Sequence, residues 1–274
     1  MSQDTELVAP AETVEDWWAG IPPEWLPDET QLVTEDDTPV DNIFSEKQQR
    51  LLTESLYSSW GGPGAGRPFL ALANVGMFYA LTKAPLVPDV LLSLDVQAPA
   101  DLWPKAHRSY FLWRYGKPPE VVIEVVSNRR GKEDSDKMQE YAWIGIPFYV
   151  VFDPAQHLSD QVLRVYALHT GTYEAHPTGW LATAQIGVRV WTGVYEGVEA
   201  TWLRWCDEDG TLIPTGAERA QQAEERAEQE RERAEQERER AEQAEERAEQ
   251  ERERAERLAA RLRALGIDPD TIER

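Results

Sequence analysis

Two apolar runs in this chain each carry a carboxylate where a buried strand tolerates no unpaired charge. Residues 87–96 read VPDVLLSLDV, and residues 119–127 read PEVVIEVVS. Continuous runs of valine, isoleucine and leucine are typical of strands covered on both faces. A charged carboxylate is rarely buried in such a strand without a partner. The two runs therefore predict neighbouring strands whose carboxylates belong to a functional site.

The alternation of side chains along a strand sorts these carboxylates by face. In the first run Asp89 and Asp95 share one face, and in the second run Glu124 shares a face with Val122 and Val126. Asp89 could also be a simple turn residue at the strand start, with Asp95 as the rival candidate. A structural ion pair is the alternative for Glu124.

An amphipathic segment follows the second run at once. Residues 131–145 read GKEDSDKMQEYAWIG, in which Lys137 and Tyr141 are one helical turn apart. The apolar stretch PFYVVFDP (147–154) comes next. The pattern predicts a strand, a helix near 132–144 and a second strand, which is typical of an α/β sheet.

Two carboxylates and one lysine are a recognisable chemical set. Carboxylates on adjacent strands can hold a hard divalent cation, and a nearby lysine can activate or orient a water. We therefore predict a metal-dependent phosphodiesterase site made of Asp89, Glu124 and Lys137. A solvated helix lysine is the alternative for Lys137, and Arg129, Arg130 and Lys132 compete with it for phosphate contact. The four histidines show no metal-ligand spacing.

The flanking patterns predict the remaining elements. A helix is expected over 45–60 with Ser45 as its N-cap, and two short strands with a turn are expected over 69–81. Strand-like segments at 162–169, 171–176, 180–191 and 201–207 predict an antiparallel second half. These elements give a domain over 45–210.

Composition restricts the compartment and the partners. The net charge is −22 and there is a single cysteine, so we expect a cytoplasmic protein without disulfides or a cysteine zinc site. There is no signal peptide pattern and no run of 18 apolar residues, so no membrane association is expected. The acidic balance argues against a protein that coats nucleic acid through bulk charge. Residues 1–44 are rich in proline and acid and predict an extended, partly disordered arm.

The C-terminal segment 219–267 repeats with a strict period of seven residues, as in RAEQERE at 226–232 and 233–239. Glutamate and arginine alternate at pairing distance along a helix. Apart from Leu258, Leu262 and Leu265, its presumed seam holds alanine and glutamate, and glutamate packs poorly there. The repeat predicts a solvated charged helix that ends near Gly266, or a weak coiled coil through which the chain self-associates.

These residues resemble a known group of enzymes. Pro-Asp at 88–89 followed by Glu-Val-Val at 124–126 is similar to the PD-(D/E)xK nuclease superfamily. The longer stretch 123–154 closely resembles the Uma-two family of restriction-endonuclease-like proteins, and the resemblance extends over residues 45–205. It implies a restriction-endonuclease-like α/β fold, a mixed sheet flanked by helices, and a metal-dependent endonuclease that acts on DNA.

The chain departs from the superfamily pattern at one position. Val126 stands where the usual lysine follows the glutamate by two residues. The resemblance implies that Lys137, four residues before Tyr141, substitutes for it, and that Glu46 is an additional metal ligand. The expected cofactor is Mg²⁺ or Mn²⁺, held by Asp89 and Glu124. The competing hypothesis is a catalytically lapsed nuclease-like domain that acts as an oligomerising interaction protein.

Overall fold

The computed structural model describes residues 42–64, 66–127 and 136–265. Most of the predicted acidic arm and the expected helix end at Gly266 lie outside these residues. Arg129, Arg130 and Lys132 also lie outside them.

A six-stranded mixed sheet forms the centre of the domain, in the order β1-β3-β5-β6-β7-β8. The β5–β6 pair is parallel and the other neighbours are antiparallel. β5 and β6 can pair in parallel because the predicted strand–helix–strand unit connects them through a crossover helix. The sheet strands are β1 (Phe69–Ala73), β3 (Val90–Leu94), β5 (Val121–Val125), β6 (Phe148–Phe152), β7 (Leu163–His169) and β8 (Thr172–Ala175).

The remaining elements cover this sheet. The helices are α1 (Ile43–Ser59), α2 (Leu112–Tyr115), α3 (Asp136–Ile144) and α4 (Gly216–Ala264), and a 3-10 turn spans Lys105–His107. The strands outside the central sheet are β2 (Met77–Phe78), β4 (Tyr110–Phe111), β9 (Trp180–Leu181), β10 (Ile186–Tyr195) and β11 (Val198–Cys206). The mixed α/β architecture and the long charged C-terminal helix agree with the sequence prediction.

The alternation along the strands builds two apolar cores, one on each face of the sheet. Val90 and Ile123 belong to the first core, together with Leu52 of α1 and Trp205 of β11. The second core holds Leu91, Val122 and Val126 of the sheet region, Tyr110 of β4 and Tyr141 of α3. Glu124 lies between Val122 and Val126 in sequence and therefore faces the second core.

The start of α1 differs from the prediction. The N-cap is Asn42, whose side-chain oxygen accepts a hydrogen bond from the backbone N–H of Ser45 at 2.9 Å. Ser45 is buried inside the first turn. Asparagine and serine are both good N-caps, so the pattern alone could not choose between positions three residues apart.

The second half of the domain is antiparallel, as expected. β7 pairs with β8, and β10 pairs with both β11 and β9. The single strand expected over 180–191 is in fact two strands, because Ala184 and Gln185 form a turn between them. Its continuation, β10, extends to Tyr195 and turns at Glu196-Gly197 into β11.

The chain divides into two compact units, residues 1–216 and 217–274. The second unit carries nearly all of α4, whose described side chains are largely exposed, including Leu258 at 55% and Leu265 at 71%. Arg257 and Glu253 form an ion pair one turn apart, with 3.7 Å between nitrogen and oxygen. Within the described ranges, no helix combines the length and apolarity needed to cross a membrane.

Deleting residues 219–274 is expected to leave the first unit folded and to abolish any self-association. The reason is that, among the residues of this segment that the structure describes, Leu258 and Leu265 are the exposed large apolar side chains, while the cores described above lie in the first unit. Circular dichroism melting and light scattering after size-exclusion chromatography would measure both effects. Loss of the cooperative transition in the truncated protein would show that the helix belongs to the folded core.

Candidate functional site

The two predicted carboxylates lie side by side at one end of the central sheet. β3 and β5 are antiparallel, with Val90 opposite Ile123 and Leu91 opposite Val122. Asp89 directly precedes β3, at the strand start, and its carboxylate reaches β5 by accepting from the Val125 N–H next to Glu124. Both side chains are almost inaccessible, with 7% exposure for Asp89 and 2% for Glu124.

Asp89 is held by two donors from different elements. Its Oδ2 accepts a hydrogen bond from the backbone N–H of Val125 at 2.7 Å, which ties it to β5. Its Oδ1 accepts one from Nε2 of Gln49 on α1, also at 2.7 Å. The Gln49 amide is fixed in turn, because its Oε1 accepts from Nδ2 of Asn74 at 3.0 Å. The Asp89 carboxylate is therefore fixed by contacts with both α1 and β5.

Glu124 is held by two side chains of α3. Nζ of Lys137 donates to Oε2 at 2.8 Å, and the hydroxyl of Tyr141 donates to Oε1 at 2.6 Å. Burial raises the pKa of Glu124 to about 7, Lys137 opposes that shift, and the charge of Asp89 adds to it. The same burial, together with the charge of Glu124, raises the pKa of Tyr141. Tyr141 thus stays a neutral donor at physiological pH.

The lysine of this site comes from the helix and not from the strand. Val126, at the usual lysine position, is buried at 3% exposure in the second core, and its backbone N–H donates to the carbonyl of Phe152. The side chain of Lys137 is 29% exposed at its position on α3. One turn of helix separates Lys137 from Tyr141, so both reach the same carboxylate.

Two other predicted carboxylates bind arginine side chains. Glu46 is on α1 one turn before Gln49, but both of its oxygens bind the guanidinium of Arg50, and its side chain is 47% exposed. Asp95 follows β3 at its other end and forms an ion pair with Arg67. Asp95 is therefore not a partner of Glu124. Asp89, Glu124 and Lys137 are brought together, and Glu46 is engaged elsewhere.

Three polar residues of the cluster were not named as site residues from the sequence: Gln49, Asn74 and Tyr141. A signal for Gln49 was present, because it shares the buried face of α1 with Leu52 and Leu56. A glutamine on the apolar stripe of a helix needs a buried partner. Asn74 has a φ of 53° in the turn after β1, a backbone conformation that asparagine tolerates better than most residues.

The donor set suits a hard divalent cation. Two carboxylates are what Mg²⁺ commonly takes from a protein, with waters and substrate phosphate oxygens as the other ligands. The negative charge of Asp89 adds to the rise in the pKa of Glu124 that burial causes, and a cation bound by both carboxylates would offset that repulsion. In the part of the chain that the structure describes, no group of three or more histidine, cysteine, aspartate or glutamate side chains could hold a metal.

Comparison with known proteins identifies one family. The Uma2 family, described as "Putative restriction endonuclease", matches residues 35–192, which is more than half of the chain. No match was found among curated proteins. The match includes both strands that carry the carboxylates and the helix that carries Lys137.

The stability of the protein without metal is expected to fall as pH rises through the titration of Glu124. The pKa of Glu124 is about 7 in the folded protein and ordinarily 4.5, so the folded state binds the proton more tightly than the unfolded state. The free energy of unfolding is therefore expected to fall by about 3 kcal/mol between pH 4.5 and pH 7. Urea unfolding in EDTA at pH 5 and pH 8 would compare wild type with Glu124→Gln. The Gln variant should lack this part of the pH dependence.

The matched control is Glu199→Gln, at an exposed position on β11, which should keep the wild-type pH dependence. Equal dependence in wild type and Glu124→Gln would contradict the buried position of the Glu124 carboxylate.

The two α1 residues nearest the site are expected to differ in their effect on metal binding. Gln49→Ala removes a donor that fixes Asp89, and such losses typically weaken metal affinity about 10–100-fold. Glu46→Gln should leave affinity nearly unchanged, because Glu46 is bound to Arg50. Calorimetric titration with MnCl₂ measures both variants. The opposite order would identify Glu46 as a metal ligand.

Proposed function

Because the chain belongs to the Uma2 family of restriction-endonuclease type, we propose that it is a metal-dependent endonuclease hydrolysing phosphodiester bonds of DNA. One observation carries this proposal. Asp89 and Glu124 are adjacent, almost fully buried carboxylates, and Nζ of Lys137 lies 2.8 Å from Glu124. A buried ion cluster of this kind costs folding free energy, and perturbed carboxylates concentrate at functional sites.

Asp89 and Glu124 would hold Mg²⁺ or Mn²⁺ through their carboxylate oxygens. Such a cation, when bound, supplies Lewis-acid stabilisation of charge on the phosphodiester. The cation would also offset the electrostatic repulsion between DNA and this chain, whose net charge is −22. Two unit charges 4 Å apart interact by about 4 kcal/mol at an effective dielectric near 20, so a local dication outweighs a diffuse field screened beyond about 8 Å.

Lys137 is the residue of this chain that we assign to the reacting phosphate. Its side chain is partly exposed and its ammonium, a positively charged hydrogen-bond donor, already contacts the Glu124 carboxylate. It would orient the attacking water or donate to the oxygens on which negative charge develops. Removing one such preorganised donor typically costs a factor of about 10²–10³ in rate.

The other polar residues act by positioning. Tyr141 and Lys137 fix both oxygens of Glu124, and Gln49 and the Val125 N–H fix both oxygens of Asp89. The two carboxylates therefore do not have to reorganise when a substrate arrives, and such preorganisation lowers the barrier of the chemical step.

A second hypothesis is a nuclease-like domain without activity that serves as an interaction protein. Val126 at the usual lysine position and the acidic composition favour it. The intact set of Asp89, Glu124 and Lys137 favours hydrolysis. The two hypotheses differ in whether any metal supports cleavage.

The wild-type protein is expected to cleave DNA with Mg²⁺ or Mn²⁺ and to be inactive in EDTA. Asp89→Asn, Glu124→Gln and Lys137→Ala should each lower the rate by about 10²-fold or more. Gel assays on supercoiled, linear and single-stranded DNA measure the rates. Arg189→Ala, an exposed cation on β10, is the control and should keep full activity.

Two results would contradict the assignment. Equal cleavage by the three site variants would place the activity elsewhere or in a contaminant. Absence of cleavage by wild type with both metals and all DNA forms would favour the interaction hypothesis.

A further inference from the structure

A cavity of about 300 Å³ opens on the sheet face that carries the two carboxylates. Leu70 and Leu72 of β1 line it, and both belong to or pack against the second core, which Glu124 also faces. Its volume lies at the lower end of the range for ligand pockets, about 300–1,000 Å³. The lining is mainly apolar, with Tyr115 as an aromatic wall. The cavity therefore has room for one small planar group.

The strand register places this cavity close to the candidate metal site. Leu72 is opposite Leu91, and the backbone N–H of Asn74 donates to the carbonyl of Asp89 at 3.2 Å. Leu72 is thus two residues along β1 from the level of Asp89, a distance of about 7 Å at 3.3–3.4 Å per residue. A base and the phosphate of its own nucleotide are separated by a single sugar. Both could therefore contact this face at once.

The chain segment that forms the cavity mouth has an unusual charge. Between Asp101 and Glu120 there is no acidic residue, although the chain has 50 acids against 28 lysines and arginines. The cations of this segment are Lys105, Arg108, Arg114 and Lys117, of which Lys117 is paired with Glu120. Tyr110 and Phe111 between them are buried in the domain. Trp103, at its start, is 82% exposed. Cations beside an exposed aromatic ring are a feature of surfaces that hold single-stranded nucleic acid.

The polar groups at the cavity can read the edge of a base. Nδ1 of His107 lies 2.6 Å from the carbonyl of Asp101, which can only accept, so the ring donates from Nδ1. Its Nε2 is then the second polar atom of the ring. Arg108 and Ser109 also line the cavity and add donors. Nε of Arg108 donates to the carbonyl of Trp103 at 2.9 Å, which holds the loop around the guanidinium.

We propose that this cavity binds one unstacked base of a DNA strand whose phosphate lies at the carboxylate site. The apolar floor and Tyr115 would contact the faces of the base, and His107 and Arg108 its edge. The inference rests on the proposed function, and it specifies that the substrate is single-stranded or locally unpaired DNA. A base inside an intact duplex cannot enter such a cavity without being extruded.

The test fills the cavity without removing any side chain that supports it. Ala98 lines the cavity, whereas Ala100, two residues on in the same loop, does not; both are exposed. Ala98→Trp and Ala100→Trp are therefore matched variants of the full-length protein. Fluorescence anisotropy with CaCl₂, a hard divalent cation that takes oxygen ligands, measures binding of a labelled single strand of about ten nucleotides, of the same sequence as a duplex, and of a length-matched abasic strand.

Wild type and Ala100→Trp are expected to bind the base-bearing strand on the order of tenfold more tightly than the abasic strand. Ala98→Trp should lose most of this preference and keep its affinity for the abasic strand, because the phosphate contacts remain. Equal preference in Ala98→Trp and Ala100→Trp would overturn the proposal, as would tighter binding of the duplex than of the single strand. Absence of DNA binding by wild type would overturn it as well.

The binding test is separate from the cleavage test. One outcome is that Ala98→Trp loses the base preference while the wild-type protein cleaves no DNA. This outcome supports base binding in the cavity and rejects the endonuclease. Metal-dependent cleavage with unchanged base preference in Ala98→Trp supports the endonuclease and rejects the cavity.

Discussion

The contact between Glu124 and α3 is the interaction on which the candidate site depends. The middle of the central sheet is apolar on both faces, and a carboxylate there is unfavourable by several kcal/mol unless it is compensated. Lys137 and Tyr141 supply that compensation from successive turns of one helix. The position of α3 over the sheet is therefore coupled to the charge of Glu124, and the helix holds the only assigned lysine of the site.

The second carboxylate depends on a different set of elements. Asp89 is bound by α1 through Gln49 and by β5 through a backbone N–H. The site thus lies where a helix packed against the first core meets a strand end that faces the second core. This arrangement explains why both carboxylates keep fixed positions, although burial and, to a smaller extent, the charge of Asp89 raise the pKa of Glu124. Burying two carboxylates next to each other lowers folding stability, and such perturbed carboxylates are concentrated at functional sites.

The charge of the chain is unevenly distributed. The C-terminal repeat balances most of its glutamates with arginines and contributes little to any attractive field. Cations without intervening acids are concentrated between Asp101 and Glu120, beside the cavity on the face of the carboxylates. Local charge within a Debye length matters more to an approaching phosphate than the net charge of the whole chain.

The sequence by itself determined the strands with Asp89 and Glu124, the faces on which they lie, the helix with Lys137, and the charged C-terminal helix. Each follows from periodicity and from contacts between near neighbours in the chain. The tertiary structure decided that Gln49, 40 residues from Asp89 along the chain, is its partner, that Asp95 pairs with Arg67, and that Glu46 pairs with Arg50. The cavity on the sheet face of the carboxylates is likewise a feature of the tertiary structure. These contacts depend on how separate layers of the domain pack. The pattern of neighbouring residues in the sequence does not show which distant polar groups will form hydrogen bonds.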